Sequence, residues 1–159
     1  MMKWNRWMPV VLAALIVAAG SALISNAGTA KAQRLKLQDV SDKFEFVDVG
    51  RPASGEGDFS PGDMLIFENI LRNEAGTKDV GRFIANCTMS VPPMALCRGT
   101  LWLDKGKIDI STAVDFSDAE TIHSAITGGT QRYDTVRGQV VFGRQISEGV
   151  RELTVVLRP

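Results

Sequence analysis

The chain reads as an all-β protein: eight antiparallel strands closed into a barrel. Three observations predict this. Apolar residues recur with a period of two in almost every segment after residue 32. Turn-forming clusters separate those segments at hairpin spacing. The double glycine Gly128-Gly129, with Tyr133 and then Arg137-Gly138 behind it, marks a sharp corner between two strands, as a small closed barrel needs. Closure removes exposed strand edges, and eight strands leave room inside for one small ligand.

The N-terminal segment stands apart. Lys3 and Arg6 make a basic start, Met8 to Ile24 is an apolar run, and Ala30-Lys31-Ala32 offers a small-x-small cleavage site. This predicts a signal peptide over 1–32, cut after Ala32, and a protein that is secreted or periplasmic with no membrane contact after cleavage. The apolar run is broken by Pro9, Gly20 and Ser21, which makes it short for a membrane span of about 20 residues. The mature chain, 33–159, is then a single domain. Removing Lys3, Arg6 and Lys31 leaves 15 basic against 18 acidic side chains, a net charge of about −3. That balance, with no Lys/Arg cluster in 33–159, argues against a nucleic-acid partner, which needs a basic patch.

The strands follow in order. Phe44-Glu45-Phe46-Val47-Asp48-Val49 reads as the first. Gly50 to Gly62 is a long loop of Gly, Pro, Ser and acids. Asp63 to Asn73 is the second strand, apolar on both faces: Met64, Ile66 and Ile70 share one with Glu68, while Leu65, Phe67 and Leu71 share the other with Asn69. Such a strand suits a barrel whose outer wall is covered by another element or subunit. After the turn Glu74–Thr77 come Val80 to Val91 and Ala95 to Leu103, a hairpin about Ser90-Val91-Pro92-Pro93-Met94. Centred on Pro92, it sets Cys87 opposite Cys97, within bridging distance. In an exported chain this predicts a disulfide, with free thiols as the alternative. Asp104-Lys105-Gly106 turns into Lys107 to Val114, and Ser117 to Glu120 is a polar loop. Ile122 to Thr127, Val136 to Ile146 and Val150 to Leu157 complete the set.

Much chemistry is excluded. His123 is the sole histidine, so a tetrahedral metal site has no ligand set and none is expected. The acidic loop Gly55-Glu56-Gly57-Asp58 matches no calcium-binding spacing. No nucleophile elbow and no phosphate-cradling glycine loop is present, and no cofactor is expected. The sequon Asn86-Cys87-Thr88 falls within a strand and reads as a chance match. What remains are polar residues within apolar strands: Glu45 between Phe44 and Phe46, and Glu68 and Asn69 in the second strand. A carboxylate inside an apolar tube has a raised pKa and can handle a proton. The alternative is that Glu45 and Glu68 face water.

Three segments in order resemble one superfamily, the allene oxide cyclase and dirigent barrels. They are Gly62-Asp63-Met64-Leu65-Ile66-Phe67-Glu68-Asn69, Val80-Gly81-Arg82-Phe83-Ile84-Ala85-Asn86-Cys87, and the corner from Thr127 to Gly138. Gly106-Lys107-Ile108-Asp109-Ile110 is similar to the Gly-x-Ile-x-Val strand of the same barrels. The resemblance to the cyclases implies that Asn69 holds a catalytic water, that Cys87 lies on the barrel wall, and that Glu45 steers charge; Val114 stands where those enzymes have a tyrosine. The resemblance to dirigent proteins sets Glu68 and Asn69 where that family carries paired aspartates. It also implies a homotrimer and a reaction without cofactor or metal. The expected partner is a small hydrophobic molecule whose cyclisation or stereoselective coupling the barrel guides. Asn69, Glu68 and Glu45 are the candidate catalytic residues, and Phe67, Cys87, Val114, Tyr133 and Arg137 the candidate ligand contacts. Tyr133 and Arg137 alternatively serve the corner itself. The rival reading is a non-catalytic extracellular binding or structural module on the same barrel.

Overall fold

A computed structural model of the chain describes residues 32–50 and 59–158. Residues 1–31, all but the last residue of the expected signal peptide, and 51–58, which include the acidic stretch, therefore lie outside the described residues. Eight strands form one closed antiparallel barrel in sequence order, β8 pairing back onto β1. They are β1 (Gln33–Val47), β2 (Met64–Asn73), β3 (Asp79–Val91), β4 (Met94–Leu103), β5 (Gly106–Asp115), β6 (Ile122–Gly129), β7 (Arg137–Ser147) and β8 (Val150–Arg158).

Strand β1 is much longer than Phe44 to Val49. Its first half places Leu35, Leu37, Asp39 and Ser41 on one face, and the two polar members disguise the alternation. The register slips between Ser41 and Lys43, so Asp42 is a bulge residue. One extra residue shifts the phase of a strand. That is how Asp39 and Ser41, then Phe44 and Phe46, all sit on the inward face although their numbering changes parity.

The barrel is a cup. Loops β2–β3, β4–β5 and β6–β7 gather at one end, and the four remaining hairpin loops at the other. The first end is packed solid. Leu71, Leu101, Ile108, Val140, Leu153, Val155 and Leu157 form a contiguous buried core with Tyr133. Tyr133 reaches it from a 3-10 turn, Gln131–Tyr133, that forms the corner signalled by the double glycine. The double glycine itself does not break a strand: Gly128 and Gly129 continue β6 opposite Asp109 and Ile108. A Cβ on Gly129 would strike the Tyr133 carbonyl, so the glycine is what lets the turn fold back against the strand.

A second buried cluster lies toward the other end: Leu65, Cys87, Met89, Ala95, Cys97 and Val114, packed against Phe59, Phe67 and Phe116. Cys87 and Cys97 are register partners across β3 and β4 and form a disulfide. At this end the entry to β2 is fixed by Asp63. Its carboxylate accepts hydrogen bonds from the backbone N–H of Val49 (3.0 Å) and of Ser60 (2.7 Å), and from the Ser60 hydroxyl (2.9 Å). These donors, the Ser60 N–H foremost, hold its pKa below the ordinary carboxylate value.

Candidate functional site

Between the two packed clusters the lumen stays open. A cavity of about 360 Å³ lies toward the open end of the cup, within the range of small-molecule pockets. Its walls are mostly apolar, with Phe67, Phe83, Ile110, Val114 and Phe142 prominent, and Phe116 and Ala119 of the β5–β6 loop at the mouth. Rim aromatics continue outward, Phe44 against Phe67 at 5.3 Å between ring centroids and Phe59 against Phe116 at 6.3 Å.

One carboxylate enters this apolar wall. Asp39 is 5% exposed, and the Asn69 amide Nδ2 donates to both of its oxygens at 2.9 Å. Burial raises the Asp39 pKa to about 6, against the opposing pull of the Asn69 hydrogen bond and of the Arg151 charge. Arg151 is its register partner on β8. The guanidinium itself donates to the Ala119 carbonyl at 2.9 Å, tying β8 to the β5–β6 loop across the mouth. The result is a carboxyl group able to take up or release a proton near pH 6 in a largely apolar pocket, oriented by an amide.

The structure separates the sequence candidates by strand phase. Asn69, Phe67, Cys87 and Val114 line the cavity, Cys87 as half of the disulfide. Glu68 and Glu45 do not. Glu68 points outward, bridged by Lys43 at 2.9 Å and Arg82 at 3.3 Å, and its pKa is lowered, chiefly by the Lys43 hydrogen bond. Glu45 lies opposite Ile66 on the same outer face, because Phe44 and Phe46 take the inward one. Tyr133 is buried in the closed-end core, where burial raises its pKa. Arg137 is exposed at the start of β7. Both thus belong to the corner, the alternative already apparent in the sequence. Asp39, Ser41, Ser124 and Arg151 are cavity residues that the sequence did not single out. For Asp39 a signal existed: Leu35, Leu37, Asp39 and Ser41 keep a period of two.

No protein-family model matches the chain, and no curated protein sequence matches it. Solved structures do. The chain is similar to a pyocyanin demethylase, with a TM-score of 0.65 and 26% identity over 78% of this chain and 99% of that one. It is similar to an exo-specific intermolecular Diels-Alderase, with a TM-score of 0.64 and 14% identity over 82% of this chain and 100% of that one. A pterocarpan synthase dirigent protein gives a TM-score of 0.53 and 16% identity over 80% and 87%. The barrel fold is therefore shared with cyclases and dirigent proteins. At these last two identities the likeness is one of fold.

Proposed function

We propose that this chain is an exported barrel, cut after Ala32, that binds a small hydrophobic molecule in the lumen and guides its cyclisation or stereoselective coupling without a cofactor. The observation that carries the reading is the Asp39–Asn69 pair set into the wall of a largely apolar cavity. The apolar walls hold the ligand in one conformation, and desolvation sharpens the effect of the few polar groups that touch it. Asp39, its pKa about 6, is the proton acceptor or donor, taking the part that the sequence offered to Glu68 or Glu45. Asn69 is its positioning partner and contacts the ligand. Support comes from the neighbours, whose names describe demethylation of pyocyanin, Diels-Alder reaction and pterocarpan synthesis. Each acts on a small molecule.

Native mass spectrometry of protein purified from an oxidising compartment tests the pocket. A retained small molecule is expected in the native chain and not in Ala85→Phe, which fills the cavity from the β3 wall; far-UV circular dichroism checks that the variant is folded. Equal retention by both would place the ligand elsewhere. The packed lower half of the lumen favours a second reading, a binding module without catalysis. Asp39→Asn separates the two: a turnover lost with ligand retained supports the enzyme, and ligand retained with no turnover by the native chain supports the module.

A further inference from the structure

Two buried polar atoms in the cavity wall have no partner: Asn69 Oδ1 and Ser124 Oγ. Both residues line the same cavity. Asn69 is 8% exposed and Ser124 1%. Their orientation follows from their neighbours. The ionised Asp39 carboxylate only accepts hydrogen bonds, so the amide must turn Nδ2 toward it and Oδ1 away. Two polar side chains of the same wall are engaged elsewhere. The Thr112 hydroxyl donates to the His123 carbonyl at 2.8 Å, and Arg151 is committed to Ala119.

Such orphans are rare, because each forfeits the hydration it had in water. Two on one ligand-sized cavity point to something that fills it. The two residues also stand on opposite walls of the barrel. Asn69 lies on β2 and Ser124 on β6, and in a closed barrel of eight strands in sequence order these are opposite walls.

We infer that the ligand is polar at two opposite edges: an apolar ring system with a hydrogen-bond donor that meets Asn69 Oδ1 and a second polar group, hydroxyl or carbonyl, that meets the Ser124 hydroxyl. The inference rests on the proposed reading of the cavity as a small-molecule site and narrows its substrate class. The ring system is small, bicyclic or tricyclic, to suit 360 Å³. A hydrocarbon of the same shape binds less well, because it leaves both orphans unpaired.

Three naphthalenes test this: 2-methylnaphthalene, 2-naphthol and 2,6-dihydroxynaphthalene, each titrated by calorimetry into the purified protein. Affinity is expected to rise along the series, on the order of fivefold or more for each hydroxyl that finds a partner. Ser124→Ala, a small change that leaves the strand intact, should bring the diol down to the level of the mono-ol and leave 2-methylnaphthalene untouched. Asn69→Leu should flatten the remaining difference. Equal affinities for all three in the native chain would overturn the two-edged ligand and leave the apolar pocket standing. Absence of binding by any of them up to their solubility would overturn the pocket reading along with it. A uniform loss on Ser124→Ala would show that the serine shapes the wall rather than contacts the ligand.

Discussion

A buried carboxylate beside an amide has a measurable signature. Folding raises the Asp39 pKa from its ordinary 3.8 to about 6, so the folded state binds a proton more tightly than the unfolded state. Ionisation is then penalised in the native protein. Native stability is undiminished below about pH 4, falls as pH rises toward 6, and above that carries the full penalty, about 3 kcal/mol. Asp39→Asn removes the ionisable group. Urea denaturation at pH 8 should therefore show the variant more stable than the native chain by on the order of 2–3 kcal/mol, with the gain gone at pH 4. A difference independent of pH would mean that Asp39 is not held in the buried environment described. If the protein is an enzyme, the same substitution removes its proton-handling group, so stability and activity move in opposite directions. The residue scale is also where the sequence was least informative. Asp39 and Ser41 were hidden because inward-facing polar residues break the apolar alternation by which a strand is recognised. Glu68 and Asn69 are neighbours in sequence, and both faces of β2 carry apolar side chains, so strand phase alone could not say which of the pair faces the lumen.

At the scale of elements the sequence was read with more success, and for a physical reason. Strands β2 to β8 lie within two residues of their expected bounds, since period-two alternation and turn chemistry are local properties of the chain. The Pro92-centred hairpin gave the right cross-strand pair of cysteines. The 3-10 turn at Gln131–Tyr133 was missed, as three residues are too few to show a period. Glycine requirements in this corner differ sharply between neighbours. Gly138 has φ +137°, and a Cβ there would collide with the Val156 carbonyl of the paired strand. Gly128 faces only the Asp109 side chain, at an ordinary contact of 3.6 Å. Gly138→Ala should therefore destabilise the barrel by roughly 2 kcal/mol or more, while Gly128→Ala should fall within about 0.5 kcal/mol of the native chain. Thermal melts of the two variants side by side decide the matter. Equal midpoints would show that the β7–β8 approach is looser than described.

For the whole molecule, the outer wall bears on assembly. Ile66, Ile84 and Trp102 line a shallow outer groove. Leu96, 62% exposed, stands on the same face of β4 as Trp102. Burying that apolar surface against further copies would account for a β2 strand apolar on both faces. We propose the homotrimer that the resemblance to the cyclase and dirigent barrels implies. Sedimentation equilibrium should give three times the chain mass, and Ile84→Glu should give the monomer with its circular dichroism unchanged. A native chain that sediments as a monomer would end that proposal.

The Tyr133 plug has a kinetic consequence. Among the described residues, a lumen packed at one end by a continuous core has a single door, between Phe116, Ala119 and the β7–β8 turn. Whatever enters must leave by the route it came, and nothing can follow until it does. In an enzyme built this way, product and substrate would compete for one vestibule. Product inhibition would be competitive, and the β5–β6 loop, latched by Arg151 to Ala119, would govern the exchange of both.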